Sequence, residues 1–267
     1  RLVPQKNHRE VVFNPLRELP GGGYEMDFEN LEAVCDDKCR ILILSNPHNP
    51  AGIVWPRETL ERLAAFCHSR GIIVISDEIH CDMALFGNRH IPFASVSPEA
   101  AACSITFGAP SKTFNIAGIV SSYSVVPNDS LRHRFHEWME ANEMNAAPLF
   151  SPIATIAAFR KGEEWRKQML EYVEGNINFL TDYCREKMPE IMPLRPQASF
   201  LVWLDCRSLG LDHDQLIDLF INKAGLALND GEMFNPGGQV FMRLNVGTQR
   251  KILKSALDRL HKAISEN

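Results

Sequence analysis

The 267-residue chain lacks the features that would place it in a bilayer, on nucleic acid or in a disulfide scaffold. No apolar stretch approaches the ~18 residues that a membrane-spanning helix needs, and no secretory signal pattern opens the chain. Basic residues are not in excess. The formal charge of −5 excludes a general polyanion-binding surface, which would require clustered Lys and Arg. The seven cysteines (35, 39, 67, 81, 103, 184 and 206) are odd in number and scattered. None forms a Cys-x-x-Cys pair, so neither a disulfide framework nor a zinc site is expected, and reduced thiols fit a cytoplasmic protein. Internal repeats and low-complexity tracts are missing as well.

What is present is the balance of an ordinary globular chain, with 45% hydrophobic and 23% charged residues. A chain of this length buries about three-quarters of its unfolded surface and divides into one large or two moderate domains. It opens on Arg1 rather than Met, and the expectation is that an N-terminal portion is absent.

Strand-like and helix-like stretches alternate through the first half. After a turn at Gly21-Gly22-Gly23, Asp27 is placed to cap a short helix over Phe28–Val34. Ile41–Leu44 reads as a strand buried on both faces, followed by a Pro-rich loop and a helix opening at Pro56. Gly71 ends that helix; Ile72–Ile75, Ser104–Phe107 and Ile119–Val126 read as further strands. Strand, crossover helix and strand in succession predict a mostly parallel sheet flanked by helices. Long helices follow, among them a Pro-free stretch from Glu163 to about Met188 that connects two domains. The expected division is residues 1–160, a large domain incomplete at its N-terminus, and residues 161–267, the connecting helix and a smaller α+β domain.

Ligands of open α/β sheets bind at the carboxyl ends of the strands. Three such ends carry unusual polar runs: Ser45-Asn46-Pro47-His48-Asn49-Pro50-Ala51-Gly52, Ser76-Asp77-Glu78-Ile79-His80 and Ala109-Pro110-Ser111-Lys112-Thr113-Phe114-Asn115-Ile116-Ala117-Gly118. Singly, each has an ordinary explanation, since Asn-Pro starts turns, Asp caps helices and a loop Lys is usually solvated. Together they bring an amide, a carboxylate and a lysine to one crevice. Pyridoxal phosphate (PLP) needs that set: an amine to form the imine, a carboxylate to keep the pyridine nitrogen protonated, and a neutral donor for the phenolic oxygen.

The three runs, with Phe241-Met242-Arg243-Leu244-Asn245 near the end, closely resemble the cystathionine β-lyase (carbon–sulfur β-lyase) branch of the fold-type I PLP enzymes in the aminotransferase superfamily. That resemblance implies an aspartate-aminotransferase-like α/β fold, PLP as cofactor, no metal, and a homodimer. It implies that Lys112 holds the cofactor and acts as base, that Asp77 pairs with the pyridinium nitrogen, and that Asn49 donates to the phenolic oxygen and lines the substrate site. Arg243 is expected to bind the substrate carboxylate through its planar fork. His80 stands where aminotransferases of this fold carry Tyr, which favours lyase over transaminase. Phosphate contacts are thin: Ala109 and Val120 occupy positions that are commonly Ser and Arg, leaving Ser111 as a hydroxyl contributor. The Gly21–Gly23 run is read as a turn rather than a phosphate nest, and His133 and His136 as a solvated helix face.

The implied reaction is β-elimination from a sulfur-containing amino acid, L-cystathionine first, releasing thiol, pyruvate and ammonia. An aminotransferase of the same fold is the alternative enzyme, and a non-catalytic regulatory binding protein is the alternative outside enzymology. Phe150-Ser151-Pro152 is expected near the dimer interface.

Overall fold

A computed structural model describes residues 2–20, 22–234 and 237–266. A one-turn helix, α1 (Leu2–Lys6), precedes two short antiparallel strands, β1 (Arg17–Glu18) and β2 (Tyr24–Glu25). Gly22 and Gly23 turn the chain between them at φ +86° and +87°, a region closed to most side chains; Gly21 lies outside the described residues. Helix α2 (Phe28–Val34) starts where its cap predicts, the Asp27 carboxylate accepting the Asn30 N–H at 2.9 Å.

Three parallel strands then build the frame of the site. They are β3 (Ile41–Ser45), β4 (Ile73–Asp77) and β5 (Ser104–Gly108), joined by α3 (Arg57–Ser69) and α4 (Pro98–Cys103). A fourth strand, β6 (Tyr123–Val125), adds antiparallel to β5, giving the order β3-β4-β5-β6. Gly71, at φ +65°, ends α3 with its N–H on His68 O and the Ile72 N–H on Cys67 O. The register sets Ser45 beside Asp77 and Asp77 beside Phe107, so all three polar loops leave the same edge.

Two expectations are corrected. Among the described residues, strand β3 is covered on one face only. Leu42 and Leu44 pack into the core under α3, whereas Ile41 and Ile43 are 61% and 64% exposed. Successive side chains point to opposite faces, and this edge strand is covered on one of them. The strand expected over Ile119–Val126 shrinks to Tyr123–Val125, because Ala117–Ile119 forms a 3₁₀ turn and Val120 sits at φ +52°.

Helices α5 (Asp129–Ala141), α6 (Phe150–Lys161) and α7 (Glu163–Lys187) follow. The second unit comprises β7 (Met192–Leu194), β8 (Leu201–Asp205), α8 (His213–Asp218) with a π-turn over Leu219–Lys223, β9 (Asn229–Asp230), β10 (Phe241–Asn245) and α9 (Arg250–Ser265). Its sheet is antiparallel, in the order β7-β8-β10-β9. Val173, Ile177 and Leu180 of α7 pack with Val202, Leu204, Phe220, Leu253 and Leu257 in one core, separate from the cluster around Phe28, Leu60, Leu63 and Phe93. No helix among the described residues is long and apolar enough to cross a membrane.

One segment, residues 196–199, stitches the two units. The Gln197 and Ala198 N–H groups donate to Gly52 O at 2.8 and 3.1 Å, and Leu85 N–H donates to Gln197 O at 2.8 Å. The Gln197 side-chain oxygen accepts the Val54 N–H at 2.9 Å. Gly52 has φ +67°, and a Cβ there would collide with Pro196.

Candidate active site

The three strand-end loops leave one edge of the parallel sheet, and the first of them reaches β10 of the second unit. The first loop leaves β3 through Asn46–Pro47 and Asn49–Pro50, both cis. It is held by its own bonds: Asn49 N–H to Ser45 Oγ at 3.1 Å, His48 N–H to Ile53 O at 2.8 Å and Gly52 N–H to His48 O at 2.7 Å. The half-buried Asn49 then reaches the second unit. Its Oδ1 accepts from Arg243 Nη1 at 2.7 Å, which turns its amide N–H groups away from Arg243.

Arg243 is fixed from several sides. Nη2 donates to Asn229 Oδ1 at 2.7 Å, the guanidinium carbon stands 4.6 Å from the Phe234 ring centre, and Nε is buried without a protein partner. Burial lowers its pKa from the usual guanidinium value. Five N–H groups on a planar fork, two of them used, leave donors for a carboxylate.

The second loop places Asp77 at the exposed tip of β4, with Oδ1 accepting the Ile79 N–H at 3.2 Å. The adjacent Glu78 is buried and tightly bonded. Its Oε1 accepts from Ser76 Oγ and Phe93 N–H, each at 2.9 Å, and from Asn46 Nδ2 at 3.4 Å, while Oε2 meets His90 Nε2 at 2.8 Å. This carboxylate therefore ties the first two loops together from beneath. His80 is buried too, with Nδ1 3.1 Å from Ser199 Oγ and its ring edge-on to Phe200. Desolvation, reinforced by the Lys112 and Arg243 cations, lowers its pKa to about 4, so the ring is neutral at pH 7. Burial lowers His48, which packs edge-on against Trp55, to about 4 as well.

In the third loop the chain makes a tight turn around Lys112, with Phe114 N–H on Pro110 O and Ile116 N–H on Ser111 O. Lys112 is exposed and Ser111 half-buried. Neither side chain has a hydrogen-bond partner among the described residues.

The structure thus brings Asn49 and Arg243 into direct contact, sets His80 within electrostatic reach of Lys112 and Arg243, and aligns Asp77 on the same edge. Ser111 joins them only as the neighbour of Lys112. Reading the sequence missed Asn229, Phe234, Ser199 and the Glu78–His90 pair. Glu78 alone carried a signal, being a carboxylate directly after a buried strand. Elsewhere, His133 and His136 lie exposed on α5, and His133 meets Glu137 at 3.1 Å.

The sequence pattern of the aminotransferase class I and II family matches residues 5–260. The chain belongs to that family. It is 39% identical to the cystathionine β-lyase PatB of Bacillus subtilis over 262 residues, spanning 98% of this chain and 67% of that protein. The MalY protein of Escherichia coli is 33% identical across 97% of this chain and 66% of its own length. Crystalline cystalysin from Treponema denticola, which contains pyridoxal 5'-phosphate, superposes with a TM-score of 0.94 at 30% identity, over 98% of this chain and 66% of that one. The aspartate-aminotransferase-like fold expected from the sequence is therefore the observed one, and the chain spans about two thirds of the length of these relatives.

Proposed function

We propose that this chain is the greater part of a PLP-dependent carbon–sulfur β-lyase acting on a sulfur-containing amino acid such as L-cystathionine. The observation that carries the reading is the convergence of Asn49, Asp77 and Lys112 on one sheet edge with Arg243 bonded to Asn49 across the two units. The donor set fits the cofactor: Lys112 offers an uncommitted amine, Asp77 an exposed carboxylate and Asn49 free amide N–H groups. When bound, PLP supplies an electrophilic carbon for the amine and a protonated ring that accepts the electron pair left at Cα.

The roles of this chain's residues are those that the family resemblance implies, and the positions of the side chains support them. Lys112 would anchor the cofactor, and its amine would serve as the base that receives the Cα proton. Asp77 keeps the pyridine nitrogen protonated through a charge-assisted bond. Asn49 donates to the phenolic oxygen, the direction its bond from Arg243 leaves open. Arg243 grips the substrate carboxylate and so sets which Cα bond is aligned for cleavage. Ser111 contributes a hydroxyl to the phosphate. The neutral His80, where transaminases carry Tyr, favours loss of the Cβ–sulfur bond over return of the amino group, a reading supported by the resemblance to PatB.

Residues 1–160 would form the cofactor unit and 161–267 the unit that delivers Arg243. A homodimer is supported by α6, where Phe150, Ile153 and Ile156 are all exposed. Seven free cysteines suit a reducing cytoplasm. The test is to supply the full-length protein with PLP and L-cystathionine and follow pyruvate and thiol together. Equal release of both is expected; amination of an added keto acid without thiol would replace the lyase by a transaminase.

A further inference from the structure

Ser199 is buried in the segment that joins the two units and holds φ +76°, a left-handed conformation that strains any residue with a Cβ. Strain of this kind persists where the surroundings over-determine it, and it concentrates at functional sites. The backbone has no use for a serine here. Its N–H donates to Met83 O at 2.9 Å, a bond that glycine would make equally well without the strain. What serine adds is the hydroxyl, and the contact the hydroxyl makes is to His80 Nδ1 at 3.1 Å.

The other ring nitrogen has a different setting. His80 Nε2 has no hydrogen-bond partner among the described residues, yet it is not among the sealed, unpartnered buried atoms, so it keeps some accessible surface. The cations acting on the ring are Lys112 and Arg243, both of which carry donors only. Their positive field favours a bare Nε2 lone pair on that side of the ring over an Nε2–H.

We infer that Ser199 is a positioning residue for His80. The Nδ1–H group donates to the Ser199 hydroxyl oxygen and holds the ring in the tautomer whose Nε2 lone pair faces the crevice. Ser199 touches neither cofactor nor substrate in this arrangement and acts through the imidazole alone. The inference rests on the reading of this crevice as the reaction site, so its first test does not depend on turnover.

In full-length protein labelled with ¹⁵N-histidine, long-range ¹⁵N–¹H correlation reports the His80 tautomer directly. The wild type is expected to show Nδ1–H, and Ser199→Gly a mixture of both tautomers, while the melting temperature holds or rises because glycine relaxes φ +76°. With L-cystathionine, Ser199→Gly should lower kcat about tenfold with little change in KM, and should cost nothing further in a His80→Asn background, as a contact pair requires. An Nε2–H tautomer in the wild type, a tautomer unmoved by Ser199→Gly, or equal losses in both backgrounds would overturn the inference. A wild type that releases neither thiol nor pyruvate would remove the elimination reading instead, and the tautomer measurement would still decide Ser199.

Discussion

Strands β3 and β8 have similar compositions and opposite surroundings. Each is a five-residue, mostly apolar strand. All five residues of β8 are buried, Val202 and Leu204 in the core with α7 and α9 and Trp203 beside Phe234 and Phe241, whereas Ile41 and Ile43 of β3 are exposed among the described residues. The contrast runs through both units. The second is closed around its own core and holds Arg243 through Asn229 and the Phe234 ring. The first presents Asp77 and Lys112, groups with spare hydrogen-bonding capacity, at an accessible edge. Rigid scaffold and uncommitted chemistry are segregated, and they meet at the Asn49–Arg243 contact.

The sharpest test of that division separates chemistry from stability. Lys112→Ala should abolish thiol release to at least about a thousandfold below wild type while leaving the urea midpoint within error, since losing a covalent anchor and base removes several kcal/mol of rate acceleration. Near-normal turnover would remove the mechanism. Next comes the closed core. Phe220→Ala deletes a fully buried ring and should destabilise by about 3–5 kcal/mol in urea unfolding. A loss below 1 kcal/mol would mean that the second unit is far looser than its packing indicates.

Arg243→Lys keeps the charge but loses the fork. Its expected signature is a rise of about 10–100-fold in KM for L-cystathionine, the scale of one or two charge-assisted hydrogen bonds. An unchanged KM would move carboxylate binding elsewhere. Acid should act on the site side first. His48 and His80 are held at about 4 in the folded protein against roughly 6.5 unfolded, so the unfolded chain binds more protons between those values. Stability is full above about pH 6.5 and falls as pH drops toward 4; a His80→Asn variant should flatten part of that slope. The smallest effect belongs to β3, where Ile43→Ser should stay within about 0.5 kcal/mol in this chain. A larger cost would show that the exposed face is covered in solution.

Much of this arrangement is legible in the sequence because it is local. The Asp27 cap, the Gly71 stop and the three strand-end loops each follow from a few adjacent residues. The loops converge because parallel strands linked by helices place successive carboxyl ends on one edge. What escaped is non-local. Asn49 and Arg243 are 194 residues apart and His80 and Ser199 119 apart, and no spacing rule connects them. The error on β3 has the same origin, for an apolar run reports that a strand is apolar and not how many of its faces are covered. Asn229 and Phe234 carry no motif of their own and gain meaning from the pairing of β9 with β10.

The segment from Pro196 to Ser199 also dictates how this protein could be recombined with its relatives. Gly52 accepts two N–H groups from Gln197 and Ala198 and leaves no space for a Cβ beside Pro196. A chimera cut in the connecting helix α7 would therefore separate two halves of one seam, and the incoming C-terminal unit would meet a foreign Gly52 loop. Exchanging residues 46–54 and 196–199 together should preserve the fit, which makes these thirteen positions, rather than the helix that links the units, the natural boundary for shuffling.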